Sequence, residues 1–196
     1  MNKKLEIISE IPTAWTDHIT FAQWIVNKQQ PEVIVDLGVA FGYSSFCFGL
    51  PKIGKIYGID TFEGDPMSGY NNTFEYVKQK RKELNMNNIT FTKGYFGLVA
   101  KQWKKPIDIL HIDGFHTYSA VKNDYDTWSK FVKDDGVILF HDTCVPHYGV
   151  RQFFDEIPLP KTNFTCSHGL GVVSKNSNLI EEIQQKFQLD KWPKTV

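Results

Sequence analysis

Four acidic residues, Asp36, Asp60, Asp113 and Asp142, each follow a run rich in apolar and β-branched residues. Such runs read as buried parallel strands. In an open parallel sheet, ligands bind beyond the carboxyl ends of the strands, so all four acids are expected on one rim. Gly38 and Gly42 follow the first acid. They allow a sharp strand-to-helix turn and a close approach of ligand to backbone. Asp60, at the tip of the second strand, is placed to accept hydrogen bonds from ribose hydroxyls. The histidines gather later: His111, His116, His141, His147 and His168 all fall at or after residue 111. Asp113 and His116 lie three apart across a glycine, so both can face one space. Two carboxylates among imidazoles suit a divalent ion. An oxygen-rich set favours Mg²⁺ or Mn²⁺, and a histidine-rich one Zn²⁺. The same groups suit general acid–base chemistry. Plainer readings stand beside these: a glycine turn that only packs a helix on a strand, an aspartate capping a turn, a His141 that fills the core.

The elements that must carry these residues follow from periodicity and breakers. Residues 1–15 read as a lead-in. A helix is predicted over 17–29, with Asp17 as cap and Phe21, Trp24, Ile25 and Lys28 at helical spacing. His18, at its start, reads as solvent-exposed. Strands are predicted at 33–36, 55–60, 89–93, 107–113 and 137–141, with late strands at 163–166 and 170–174. Helices are predicted at 43–50, 73–84, 118–131, 151–156 and 179–187, with a short one ending near Trp103. Asp135-Gly136 reads as the turn before the fifth strand. Residues 61–71, rich in Gly and Pro, read as a functional loop. Tyr95 and Phe96, after the third strand, are placed to flank the base of a nucleotide-like ligand or to pack in the core.

Length and composition bound the rest. The 196 residues are predicted to form a single domain, 1–196. Lys+Arg and Asp+Glu both number 22, and no basic block stands out, so nucleic acid is not an expected partner. Cys47, Cys144 and Cys166 form no Cys-x-x-Cys pair, which suggests reduced thiols and a cytoplasmic setting. No signal segment or membrane span is read. The glycine spacing is Gly-x-x-x-Gly, not Gly-x-Gly-x-x-Gly, which argues against a nicotinamide site. The absence of His-Glu-x-x-His argues against a zinc protease.

The stretch from Val33 to Phe46 resembles motif I of class I S-adenosylmethionine (SAM) methyltransferases. Asp113-Gly-Phe-His116-Thr-Tyr118-Ser-Ala-Val121-Lys-Asn-Asp124 and Gly136-Val-Ile-Leu-Phe-His141-Asp142-Thr143 resemble the methyltransferase 24 group of that class. So do Asp60-Thr-Phe-Glu-Gly64-Asp65-Pro66, His168-Gly-Leu-Gly171-Val, and His18 with Phe21-Ala22. The likeness runs from about residue 15 to 175. It implies a Rossmann-like, three-layer α/β/α fold with a mostly parallel seven-stranded sheet and an antiparallel last hairpin. It also implies SAM as cofactor and O-methylation of a sugar hydroxyl, because members are often joined to glycosyltransferases.

On that reading the cofactor-binding residues are Asp36, Gly38, Gly42, Ser44, Asp60, Thr61, Phe62, Tyr95, Phe96 and Asp113. Related sugar O-methyltransferases imply Asp113 and Asp142 as metal ligands and His116 as base, with Asp113 and His141 beside it in the catalytic group. Those relatives carry an acid where His141 stands, which leaves two alternatives: a metal set of Asp113, His141 and Asp142, with His141 favouring a softer ion, or no metal. Thr143 stands where catechol-type relatives have Asn and is not counted as a ligand. Acceptor-binding candidates are His18, Tyr70, Phe115, Tyr118, His147 and His168, with Phe62 a further wall. A glycosyltransferase domain or partner is an expected neighbour, and the oligomeric state is open. Three other readings remain: a catechol- or antibiotic-type small-molecule O-methyltransferase, an NAD-linked sugar-modifying enzyme, and a non-enzymatic SAM- or ligand-binding module working beside a glycosyltransferase.

Overall fold

The computed structural model describes residues 3–67 and 69–190. Met1, Asn2 and Ser68, parts of the expected lead-in and loop, lie outside them. The elements are α1 (Lys3–Ser9), α2 (Ile19–Gln29), β1 (Val33–Leu37), α3 (Tyr43–Gly49), β2 (Lys55–Asp60), β3 (Gly64–Asp65), β4 (Gly69–Tyr70), α4 (Phe74–Glu83), β5 (Ile89–Lys93) and α5 (Phe96–Ala100). They continue with β6 (Ile107–Ile112), α6 (Tyr118–Trp128), β7 (Val132–His141), α7 (Val150–Glu156), β8 (Lys161–Phe164), β9 (Leu170–Ser174) and α8 (Ser177–Phe187). The expected class is observed: a Rossmann-like α/β fold with a seven-stranded, mostly parallel sheet that ends in antiparallel strands. Contacts divide the chain into two compact units, 1–103 and 104–196.

In the first unit the strands run β5-β2-β1, all parallel. Every residue of β1 is buried, as its unbroken apolar run requires. The pairing Asp36↔Gly58 follows the β1–β2 register. In the second unit the order is β6-β7-β9-β8. There β6 and β7 are parallel, and β9 runs antiparallel to both β7 and β8. Thr117 caps α6, its hydroxyl accepting from the Ala120 N–H at 3.3 Å. Asn176 caps α8 in the same way, through Leu179.

Several local expectations change. The lead-in contains a helix, α1. The helix expected over 17–29 opens as a 3₁₀ turn, Thr16–His18, and no side-chain cap hydrogen bond forms there, so Asp17 is not the cap. Within the 61–71 loop, β3 and β4 pair as a minimal hairpin. Asp135-Gly136 does not separate turn from strand: β7 is continuous from Val132 and absorbs the pair as a bulge opposite β6. A bulge leaves extra residues unpaired without ending a strand. Among the described residues, no helix is long and apolar enough to cross a membrane.

Gly149 precedes α7 and lies directly against the start of α6. A Cβ built there would sit 2.1 Å from the Tyr118 backbone N. Gly149→Ala is therefore expected to lower stability by about 1–3 kcal/mol through overpacking. Gly97→Ala in α5 adds a methyl with nothing within 4 Å and should change stability by less than about 1 kcal/mol, in the stabilising direction. Urea midpoints of the two variants against wild type check both.

Candidate functional site

In the first unit, the turn between β1 and α3 is held by two carboxylates. Asp36 is fully buried. Its Oδ2 accepts from Ser44 Oγ at 2.8 Å and from Ser45 Oγ. The strand tip is thereby fastened to the first turn of α3, and the carboxylate has no path to solvent. Gly38, Ala40 and Gly42 all take positive φ. A Cβ at Gly42 would lie 2.6 Å from the Phe46 ring, so glycine serves there both in conformation and in space. Asp60 ties this turn to the tip of β2. Its Oδ2 accepts from the Ala40 N–H and its Oδ1 from the Phe62 N–H, each at 2.8 Å. Thr61 Oγ1 also donates to Oδ1, at 3.4 Å; a carboxylate offers about four acceptor positions, so one remains open to a ligand.

Around that turn the expected residues divide. Tyr95 is 68% exposed, which leaves its ring open to stack on a base and removes the core reading. Phe96 and Thr61 are half-buried. Phe62 is a core side chain, packed with Val39 and Val77, so its ring is neither cofactor contact nor acceptor wall. Tyr70, on β4, is exposed. His18 is fully buried, edge-on to Trp15 at 5.2 Å between ring centroids. The expected exposed histidine is thus part of an aromatic core, drawn in by the 3₁₀ turn that starts at Trp15.

In the second unit, β6 and β7 run parallel and deliver Asp113 and Asp142 side by side. His116 Nε2 stands 2.9 Å from Asp142 Oδ2 and 3.6 Å from Asp113 Oδ1. His141 Nδ1 stands 3.4 Å from Asp113 Oδ1 and 3.3 Å from Asp142 Oδ1. His168 Nδ1 stands 3.3 Å from the same Asp142 Oδ1. The other nitrogen of His141, Nε2, donates to the Ser167 carbonyl at 2.9 Å. Asp142 itself holds a left-handed backbone, φ 63, a strained setting of the kind found at functional sites. Donor atoms of Asp113, His141 and Asp142 all lie within 4.8 Å of one another. The arrangement fits a divalent ion: a buried carboxylate–imidazole set whose histidine is oriented by a backbone carbonyl.

Tyr148 was not legible as a site residue. Its ring stacks on His116 at 4.4 Å with planes 4° apart, and Gly149 N–H donates to the His116 carbonyl at 2.9 Å. The Pro-His-Tyr-Gly segment after the Asp142 strand was the available signal. Ser167 was likewise missed, because a backbone carbonyl leaves no mark in side-chain type. Tyr118 turns toward α7, with its hydroxyl donating to Glu156 at 2.6 Å, so that hydroxyl is engaged within the fold. Phe115 and His147 are exposed. Thr143 is buried and donates to Asn163 Oδ1.

Burial alone would lower the histidine pKa values, but the carboxylates override it. Hydrogen bonds that His116 donates to Asp113 and Asp142, with the charges of both acids, raise it to about 9. The Asp113 charge and hydrogen bonds donated to both acids raise His141 to about 10. Burial pushes Asp113 and Asp142 up, yet the histidines hold both below the usual carboxylate range. In the metal-free protein at neutral pH, His116 therefore carries a proton.

A model of the methyltransferase 24 family, a methyltransferase domain, matches residues 35–143. The chain belongs to that family, and its fold is that of class I SAM-dependent methyltransferases. The family match overturns the NAD-linked alternative. The chain is 30% identical over 184 residues to the uncharacterized protein y4gI of Sinorhizobium fredii. That match covers 86% of this chain and 20% of y4gI, so the chain spans about a fifth of its relative. Among solved structures, an O-methyltransferase from Bacillus cereus in complex with SAH shares the fold at TM-score 0.68 and 15% identity, covering 89% of this chain and 92% of that one. The O-methyltransferase TomG from Streptomyces achromogenes, in complex with SAM, does so at TM-score 0.65 and 13% identity, covering 86% and 90%.

The raised histidines contribute stability that is complete below their unfolded value of 6.5 and is lost as pH rises through 9 to 10. Chelator-treated protein should therefore lose urea stability between pH 6.5 and 10. A His116→Gln/His141→Gln double variant should show a flatter profile across that window. Parallel profiles would contradict the pairing.

Proposed function

We propose that this chain is a SAM-dependent O-methyltransferase acting on a sugar hydroxyl of a glycan or glycoconjugate. The observation that carries the reading is the Asp113–His116–Asp142–His141 cluster at the ends of two parallel strands, in a chain of methyltransferase family. The SAH and SAM bound in the two neighbours named above support the cofactor. The sugar acceptor rests on the motif resemblance. The greater length of y4gI supports work within or beside a larger assembly, for which a glycosyltransferase is the proposed partner. Cys47, Cys144 and Cys166 as reduced thiols fit a cytoplasmic setting.

In this reading the glycine turn and Asp60 hold SAM, with the ribose hydroxyls on the Asp60 carboxylate and Tyr95 against the adenine. The acceptor oxygen attacks the methyl carbon, the carbon–sulfur bond breaks, and its electron pair leaves with SAH. The sulfonium already makes the methyl electrophilic, so alignment supplies much of the rate. His116 takes the hydroxyl proton in its neutral form, held in plane by Tyr148. Asp113, His141 and Asp142 would hold a divalent ion, which when bound supplies charge to orient a diol and lower its pKa. TomG, described as involved in tomaymycin synthesis, favours a second reading in which the acceptor is a small molecule.

His116→Ala should lower turnover by about 10²–10⁴-fold and leave SAH affinity unchanged. Asp60→Ala should weaken SAH binding by about tenfold or more. In chelator-treated enzyme, turnover should rise with pH up to about 9, where His116 loses its proton; the His116→Ala variant should lack that limb. Transfer of labelled methyl from SAM across sugar and catechol acceptors, with linkage analysis, decides the substrate class. Label on catechols alone would overturn the sugar reading.

A further inference from the structure

Asp142 is the hub of the cluster in the second unit. Its Oδ2 stands 2.9 Å from His116 Nε2, and its Oδ1 faces His141 Nδ1 and His168 Nδ1, each at 3.3 Å. Where that carboxylate points depends on the backbone that carries it. His141 is the last residue of β7 in register with β9, paired with Leu170. Asp142 then takes φ 63, a conformation that a residue with a side chain adopts at a cost. The Val145 N–H donates to the Asp142 carbonyl at 3.2 Å, which closes one turn. Thr143 and Cys144 are the two residues inside that turn, and they are held from another element.

One side chain grips both. Thr143 Oγ1 donates to Asn163 Oδ1 at 2.5 Å, and Asn163 Nδ2 donates to Cys144 Sγ at 3.3 Å. Asn163 lies on β8, beside β9 and two strands away from β7. The Cys144 N–H donates in turn to the His168 carbonyl at 2.8 Å. Gly169 leaves room for the grip: a Cβ there would stand 2.5 Å from Thr143 Oγ1 and 2.7 Å from the Cys144 backbone N. Thr143 is fully buried and Asn163 is 4% exposed, in a stretch whose Phe164, Leu170, Val172 and Val173 are core residues. A buried pair of polar groups adds little stability over an apolar pair of the same shape. What it adds is direction, because a hydrogen bond fixes its atoms in distance and angle.

We propose that Asn163 is a positioning residue: by gripping Thr143 and Cys144 it sets the backbone of Asp142, and so the direction of the carboxylate on which His116 is seated. Asp142 is bracketed, with the β7–β9 ladder on one side and the Asn163 amide on the other. The consequence for turnover rests on the reading of the cluster as the transferase centre; the effect on Asp142 does not.

The test uses the full chain. A Thr143→Val/Asn163→Leu variant replaces both polar partners with apolar groups of similar shape, a change that can be nearly neutral for stability. Its melting temperature should stay near that of wild type, while the Cα and Cβ NMR shifts of Asp142 move away from left-handed values. A catalytic group misplaced by about 1 Å costs about 10²-fold, so kcat should fall by up to about that factor, with KM for SAM unchanged. Thr143→Ser keeps a hydroxyl for Asn163 and should restore both the Asp142 shifts and turnover. Should the double variant not fold, Thr143→Val alone, held below its melting transition, carries the same readouts. Wild-type Asp142 shifts in the folded variant, or a Thr143→Ser variant as altered as Thr143→Val, would overturn the proposal. Methyl transfer is read separately, by label from SAM. Asp142 shifts that move as described, in a chain that methylates no acceptor, would keep the role of Asn163 and overturn the transferase reading. Methyl transfer to a sugar with unmoved Asp142 shifts would do the reverse.

Discussion

Two carboxylates placed side by side at strand ends repel each other, and the second unit is built around relieving that repulsion. Asp113 and Asp142 arrive together because β6 and β7 are parallel neighbours. Like charges so close, and largely out of water, need cations between them. His116 and His141 supply that charge as protonated rings in the metal-free protein. Each ring is then fixed by a further group: Tyr148 stacks on His116, and the Ser167 carbonyl takes the hydrogen of His141. Asp142 takes a left-handed backbone just where β7 ends, and two residues on the Cys144 N–H donates to the His168 carbonyl. Structure and chemistry share one cause here, since whatever neutralises the acids also decides whether His116 is free to accept a proton.

The first unit solves a different problem. A turn with positive φ at Gly38, Ala40 and Gly42 has few internal bonds to hold it, so two acids are spent on its shape. Asp36 is buried under Ser44 and Ser45, and Asp60 clasps the Ala40 and Phe62 amides. Of the pair, Asp60 keeps an acceptor position for a ligand, whereas Asp36 is buried and accepts from Ser44 and Ser45.

Strand ends were legible in the sequence because an apolar run that stops at an acid has one simple reading, and all four acids lie where those runs end or just beyond. The seven-stranded, mostly parallel sheet with its antiparallel end followed from fold-level resemblance. What a carboxylate bonds to was not legible: nothing in Asp-Leu-Gly marks Asp36 as sealed by the serines eight and nine residues on. His18 illustrates the same limit. Its spacing put it at a helix start and therefore at the surface, but Trp15 three residues earlier folds back over it, a tertiary contact that periodicity does not encode. Asp135-Gly136 carries strong turn chemistry, yet β6 alongside lets β7 run through it as a bulge. Ser167 contributes through its carbonyl, which every residue owns.

The most direct measurement of the central claim is the ¹⁵N NMR spectrum of the histidine rings at pH 7 in chelator, and again after metal is added. Cations relieving the carboxylate pair require His141 to be doubly protonated without metal. With metal, it should keep hydrogen on Nε2 while Nδ1 moves to a metal-bound shift. A neutral His141 in the metal-free protein at pH 7, unchanged by any divalent ion, would contradict the account.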